Sequence, residues 1–147
     1  MGALGPYADM PAWPDHWAVT EAATDDTPFR MTTSPARTFL NSTFNETPGS
    51  VKREGRPTVL AHPDDLTQLD LSEGDAVTLG NARGQVNVFA KAHAGQQRGV
   101  LIAEGIWPNT AYADGCGINS LTGADQPAPA GGGTFHDTAV WLRKAVS

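Results

Sequence analysis

Residues 76–93 read AVTLGNARGQVNVFAKAH, two arms around the tight connection Asn81-Ala82-Arg83-Gly84. Val77 and Leu79 alternate with polar residues on the first arm, and Val86 and Val88 do so on the second. A period of two sends successive side chains to opposite faces, so each arm buries one face and wets the other. Two such arms around a short Asn- and Gly-bearing connection form a β-hairpin. A lone hairpin is marginal in water, so this stretch commits the chain to a larger β structure.

The rest of the chain is cut into similarly short pieces by 16 glycines and 11 prolines. FRMTT (29–33), TVLAH (58–62) and VLIAEG (100–105) read as strands. TAVWLRKAV (138–146) closes as a strand, with Val140 and Leu142 on one side and Ala139 and Trp141 on the other. PDDLTQLDL (63–71) reads as a short helix. Pro63 suits its first position, Asp64 and Asp65 suit its positive end, and Leu66 and Leu69 share a face. His62 helps to begin it, and His93 sits on a turn. SPARTFLNSTF (34–44) has no clean period and reads as loop with room for one helical turn. NETPGSVKREGRP (45–57) reads as a polar loop. The sum is a mostly β chain with short helices, about six strands closed as a barrel. Residues 1–27, with Pro6, Pro11 and Pro14, read as a flexible Pro-rich connector or tail before a body at 28–147. Trp13 and Trp17 in that tail dock either on the body or on a partner.

Several function classes fall away. The net charge is −6 and no Lys/Arg run stands out, so no nucleic-acid partner is expected. No apolar run is long enough to span a bilayer, and the first residues lack a basic-then-apolar signal pattern. The single cysteine, Cys116, allows no internal disulfide and no thiolate-pair zinc site. It is a candidate nucleophile with His136, but Gly115 and Gly117 beside it supply no activating charge. No two of His16, His62, His93 and His136 have helix-face ligand spacing. Gly49-Ser50 is the dipeptide at which pyruvoyl-forming barrels cleave themselves, here in a plain polar loop.

Two polar clusters lie in unpatterned segments: Thr33, Ser34, Arg37, Asn41 and Ser42, then Asn119, Ser120 and Thr122. They offer donors and acceptors to a polar heterocycle, and Arg37 adds a charge for a phosphate. The same residue types also stabilise turns unaided. Residues 117–137, GINSLTGADQPAPAGGGTFHD, are too many for an ordinary connection. The last strand must reach back across the barrel, so this loop spans a barrel end, where ligands sit. Gly131, Gly132 and Gly133 are either slack in it or a cradle for an anion.

The ordered segments TTSPARTFLNSTF, TVLAHPDDLTQLDLSEGDAVTLGNARGQVNVFAKAH, RGVLIAEGIWPN, GINSLTG and TFHDTAVWLRK resemble a known family. It is the C-terminal molybdopterin-dinucleotide-binding domain of the DMSO reductase and formate dehydrogenase-like molybdopterin oxidoreductases. The resemblance covers residues 28–145, and its central signature is held by His62, Pro63, Asp65, Gly74, Asp75, Asn81, Arg83 and Gly84. It implies a double-psi β-barrel of aspartate decarboxylase-like architecture. It implies a cofactor, molybdopterin guanine dinucleotide, with molybdenum or tungsten held by other domains. The partners implied are the preceding catalytic domains of the same oxidoreductase, and this chain alone is expected to be catalytically inactive. The cofactor-binding residues implied are Ser34, Arg37, Phe39, Asn41 and Ser42 in the first segment and Asn119, Leu121 and Thr122 in the Asn-x-Leu-Thr segment. His136 follows where many relatives carry lysine after the aromatic. The family's cluster cysteines and metal ligand belong to earlier domains, so the chain is expected to be an excised C-terminal domain or a separate subunit. A cytoplasmic location is expected, or a periplasmic one if a missing N-terminal part carries an export signal. The same fold also serves as a free-standing protein-interaction module. Such a module would replace the polar clusters with an exposed apolar patch, and none is evident outside Trp13 and Trp17.

Overall fold

The short runs between turn residues become six β-strands in the computed structural model, which describes residues 21–124 and 135–146. They are β1 (Phe29–Ser34), β2 (Thr58–Ala61), β3 (Ala76–Asn81), β4 (Gly84–Ala92), β5 (Val100–Glu104) and β6 (Thr138–Lys144). Two helices, α1 (Pro48–Glu54) and α2 (Pro63–Gln68), and 3-10 turns at Asn109–Ala111 and Ile118–Leu121 complete the described elements. Trp13, Trp17 and the triple glycine at 131–133 lie outside the described residues.

The strands close in the order β1-β5-β2-β4-β3-β6. β1 runs parallel to β5 and β2 parallel to β4. The pairs β1–β6, β2–β5, β3–β4 and β3–β6 are antiparallel. Replacing each strand by the one three places along returns the same pairs, with every orientation kept. The barrel is therefore two interlocked halves, β1–β3 and β4–β6, each giving the other a parallel partner. This is the double-psi arrangement.

Met31, Val59, Val77, Leu79, Val86, Leu101 and Val140 fill the interior. Burying one such side chain contributes about 1.5–3 kcal/mol. β4 shows why the pattern was legible: Val86, Val88 and Ala90 are buried, with wetter neighbours between them. At the β3–β6 seam Gly80 stands opposite Trp141. A Cβ on Gly80 would fall 2.1 Å from the Trp141 ring, so the seam closes only over a bare backbone.

α2 begins as its sequence indicates, with His62 Nδ1 accepting the Asp64 N–H at 3.1 Å. Its two acidic residues then diverge. Asp64 faces solvent, whereas Asp65 is 4% exposed and turns inward. Asp65 accepts the backbone N–H of Gly99 at 2.7 Å and Arg98 Nε at 3.1 Å. It therefore ties the approach to β5 onto α2, beyond any favourable interaction with the helix end.

Two segments differ from the sequence reading. Residues 45–57 contain α1, which starts on Pro48 and stops at Gly55 with φ 82°. None of its residues is buried, so it had no apolar period to betray it. Val51 packs half-buried against the core, and Glu54 accepts both the N–H and the hydroxyl of Thr38 at 2.6 Å. Residues 34–44 hold no helical turn; Leu40 and Thr43 pair across a tight turn at Asn41-Ser42. Gly49-Ser50 falls in the first turn of α1, in ordinary helical backbone.

Candidate functional site

Because β1 and β5 are parallel, they finish at the same end of the barrel, where β6 enters antiparallel to β1. A cleft of about 690 Å³ opens there, lined by Thr33, Asn41, Ile106, Asn119, Thr122, Gly123, Phe135 and His136. It shares Thr33, Asn41, Ile106 and His136 with a recess of about 150 Å³ that adds Ser34, Pro35 and Gly105. Pockets for small ligands commonly fall at about 300–1,000 Å³.

Four segments line the cleft, and three of them supply its polar side chains. The first follows β1. Leu40 and Thr43 exchange backbone hydrogen bonds of 2.9 and 2.8 Å, which sets Asn41 at φ 52°. Asparagine tolerates that left-handed conformation better than most residues. Asn45 Nδ2 donates to the Ile106 carbonyl at 2.7 Å, pinning this loop to the segment after β5. Gly105, at φ 74°, donates its N–H to the Ser34 carbonyl at 2.8 Å. A Cβ there would lie 2.8 Å from Ala36 Cβ and 3.0 Å from the Phe39 ring. Gly105→Ala is therefore expected to lower unfolding stability by about 1–3 kcal/mol through strain and crowding. A denaturant midpoint within error of the parent's would contradict this.

The second wall is the 3-10 turn at Ile118–Leu121. Asn109 Oδ1 accepts the Gly117 N–H at 3.1 Å, and Thr122 Oγ1 donates to the Asn119 carbonyl at 2.9 Å. The Leu121 carbonyl accepts Asn81 Nδ2 and Arg83 Nε, both at 2.8 Å. The third wall carries His136. Its neighbour Asp137, at φ 64°, is held by Arg30, whose Nε lies 2.6 Å from Oδ1 and whose Nη2 meets Oδ2.

The structure brings Ser34, Asn41, Asn119, Thr122 and His136 together at the cleft. Phe39 and Leu121 are core residues behind the walls; Phe39 makes an edge-on contact with Trp107 at 4.8 Å. Arg37 and Ser42 are exposed and do not line the cleft. Ile106, Gly123 and Phe135 line it without having been singled out. Leu40, Phe44 and Phe135 are 66, 55 and 55% exposed; Phe135 lines the cleft, and Leu40 and Phe44 lie on the loop that carries Asn41. Phe44 also sits at φ 72°, a costly conformation for a bulky residue.

Among the described lining residues there is no Asp, Glu, Lys or Arg, and the amides of Asn41 and Asn119 and the hydroxyls of Thr33 and Thr122 both donate and accept. Cys116 is exposed and off the cleft wall that holds His136. Among the described residues no three His, Cys, Asp or Glu side chains are grouped to hold a metal, and no helix is long and apolar enough to cross a membrane.

Tyr112 packs behind the second wall, its ring 3.5 Å from where a Cβ on Gly117 would stand. Burial pushes its phenol above the usual 10.0, against a backbone hydrogen bond at Ile118 that works the other way. The neutral phenol thus favours the folded state, fully so below pH 10.0, and that stabilisation is lost as pH rises through the raised value. Unfolding midpoints are expected to hold up to about pH 9 and to fall beyond about pH 10. Tyr112→Phe should fall less steeply; an identical alkaline slope would rule Tyr112 out.

Residues 29–139 match the family model described as Molydopterin dinucleotide binding domain. The probable oxidoreductase YoaE of Bacillus subtilis (strain 168) is 30% identical over 140 residues, 92% of this chain and 19% of that protein. The biotin sulfoxide reductase of Cereibacter sphaeroides is 32% identical over 117 residues, 74% of this chain and 15% of that protein. The respiratory nitrate reductase subunit alpha of Haloferax mediterranei is 26% identical over 109 residues, 74% of this chain and 11% of that protein. The chain thus spans between 11 and 19% of the length of these relatives. The acetylene hydratase structure from Pelobacter acetylenicus superposes with a TM-score of 0.68 at 14% identity, covering 81% of this chain and 18% of that one, and shares its fold.

Proposed function

The chain belongs to the molydopterin dinucleotide binding domain family, and on that premise we propose that its barrel-end cleft holds the nucleotide-bearing part of a molybdopterin guanine dinucleotide. One observation carries the reading. Thr33 and Asn41, Asn119 and Thr122, and His136 come from three distant segments and converge on a single cleft of suitable size.

The donor set fits such a group. Guanine presents N–H and carbonyl edges, and the amides of Asn41 and Asn119 can each donate and accept. The Thr33 and Thr122 hydroxyls and His136 suit ribose and phosphate oxygens. The metal of the bound group supplies the redox chemistry, while the residues of this chain bind and orient the nucleotide part.

On this reading the chain works as one part of a larger oxidoreductase, its molybdenum or tungsten held elsewhere, and alone it turns nothing over. The relatives' names and their much greater length support that view. Leu40 and Phe44, exposed on the loop that carries Asn41, then face the rest of the assembly. Those same side chains favour a second reading, a protein-interaction barrel whose rim is its business end.

The two readings part in a two-dimensional NMR titration of the 147-residue chain with GMP, GDP and, as control, AMP. Shifts at Thr33, Asn41, Asn119, Thr122 and His136 for guanine nucleotides alone are the expected result. Equal shifts for AMP would overturn the guanine assignment. Silence at millimolar nucleotide would overturn the cofactor reading for this chain and leave the interaction surface.

A further inference from the structure

Glu21 precedes β1, inside the stretch that composition marks as a tail. Both its carboxylate oxygens nevertheless engage the barrel. Oε1 accepts Arg83 Nη2 at 2.6 Å, and Oε2 accepts the backbone N–H of Ala139 at 2.8 Å. Arg83 turns its Nε the other way, onto the Leu121 carbonyl at 2.8 Å. Asn81 Nδ2 donates to that same carbonyl and, at 3.3 Å, to the carbonyl of Ala139.

These contacts end on main-chain atoms of two cleft walls. Leu121 lies between Asn119 and Thr122, and Ala139 lies shortly after His136. A Cβ on the cleft residue Gly123 would stand 3.9 Å from Arg83 Nη1, so the guanidinium sits directly behind that wall. The Glu21 and Arg83 side chains are 37 and 35% exposed, and an ion pair so placed adds little to stability by itself. What the arrangement does instead is fix a distance. The flat guanidinium donates in two directions at once, which an ammonium on a flexible stem does not reproduce.

We infer that Glu21 and Arg83 are positioning residues for the cleft. Together they hold the Asn119–Thr122 wall at a set spacing from the His136 wall, so ligand affinity depends on a residue outside the barrel strands. The ligand in this statement rests on the proposed nucleotide reading; the coupling of the walls does not.

The test uses the full chain and the variants Glu21→Ala, Arg83→Ala and Arg83→Lys, each measured well below its unfolding midpoint. Without ligand, the Ser120 and Thr122 amides, which donate within the second wall, are followed by hydrogen exchange beside that of Ala139. In Glu21→Ala and Arg83→Ala, exchange at Ser120 and Thr122 should quicken about tenfold, with Val59 and Val88 in the barrel unchanged. With GMP, affinity should fall about five- to tenfold in both variants, and Arg83→Lys should not restore it. If Glu21→Ala speeds exchange at Ala139 alone, or lowers the unfolding midpoint while GMP affinity stays at the parent value, the inference is overturned. If the parent itself binds no GMP, the nucleotide reading has failed, and exchange at Ser120 and Thr122 still decides whether the walls are coupled.

Discussion

Gly80→Ala should destabilise the barrel by about 3 kcal/mol, the upper end of what overfilling costs, because the half-buried Trp141 ring already fills the outer face of the seam there. The obstacle is the Trp141 ring, 2.1 Å from the added carbon and directly opposite in the β3–β6 register. A flexible side chain would swing away, but an indole has two torsions, and Arg143 stacks 4.5 Å above this one. Equilibrium unfolding in urea measures the cost. In a Trp141→Leu background the same Gly80→Ala change should cost less by about 1–3 kcal/mol, since the obstacle is gone. Equal costs in both backgrounds would show that the glycine serves its own backbone and not the ring.

Asp65→Ala is the second large effect, about 3 kcal/mol. The carboxylate is almost wholly buried and receives two donors, Gly99 N–H and Arg98 Nε. Its loss strands a backbone donor on the approach to β5. Arg98→Ala should cost only about 1 kcal/mol, because Arg98 is 52% exposed and the Gly99 contact survives. Chemical denaturation of the two variants checks the order. A larger loss for Arg98→Ala would mean that the ion pair, not the backbone anchor, matters at Asp65.

The strands were legible in the sequence because burial on one face writes a period of two, as Val86, Val88 and Ala90 show. α2 was legible through its first turn, where His62, Pro63 and Asp64 act locally. α1 was not, since only Val51 packs against the core, half-buried, and its other tie is the polar contact of Glu54 with Thr38. Members of both polar clusters meet at one end of the barrel. Which of their members face the cleft was not legible: Asn41 reaches it from a left-handed turn, whereas Arg37 is exposed off its walls. Phe39 and Leu121 entered as contacts through the family resemblance, and the structure sets both in the core. Glu21–Arg83 and Arg30–Asp137 join residues far apart in the chain, and no local pattern announces such pairs.

The interlocked strand order also bears on how the protein is made. β6 is the last of the six strands to be synthesised, yet it pairs with both β1 and β3. Until it emerges from the ribosome, the nascent chain carries two open strand edges, and the third wall of the cleft does not exist. Unpaired edges recruit other chains, and pairings between distant parts of a sequence form slowly. Chaperone dependence and inclusion-body formation in this protein should therefore follow the delay between translation of β3 and release of β6, and synonymous codons that slow residues 82–137 should reduce the yield of folded chain.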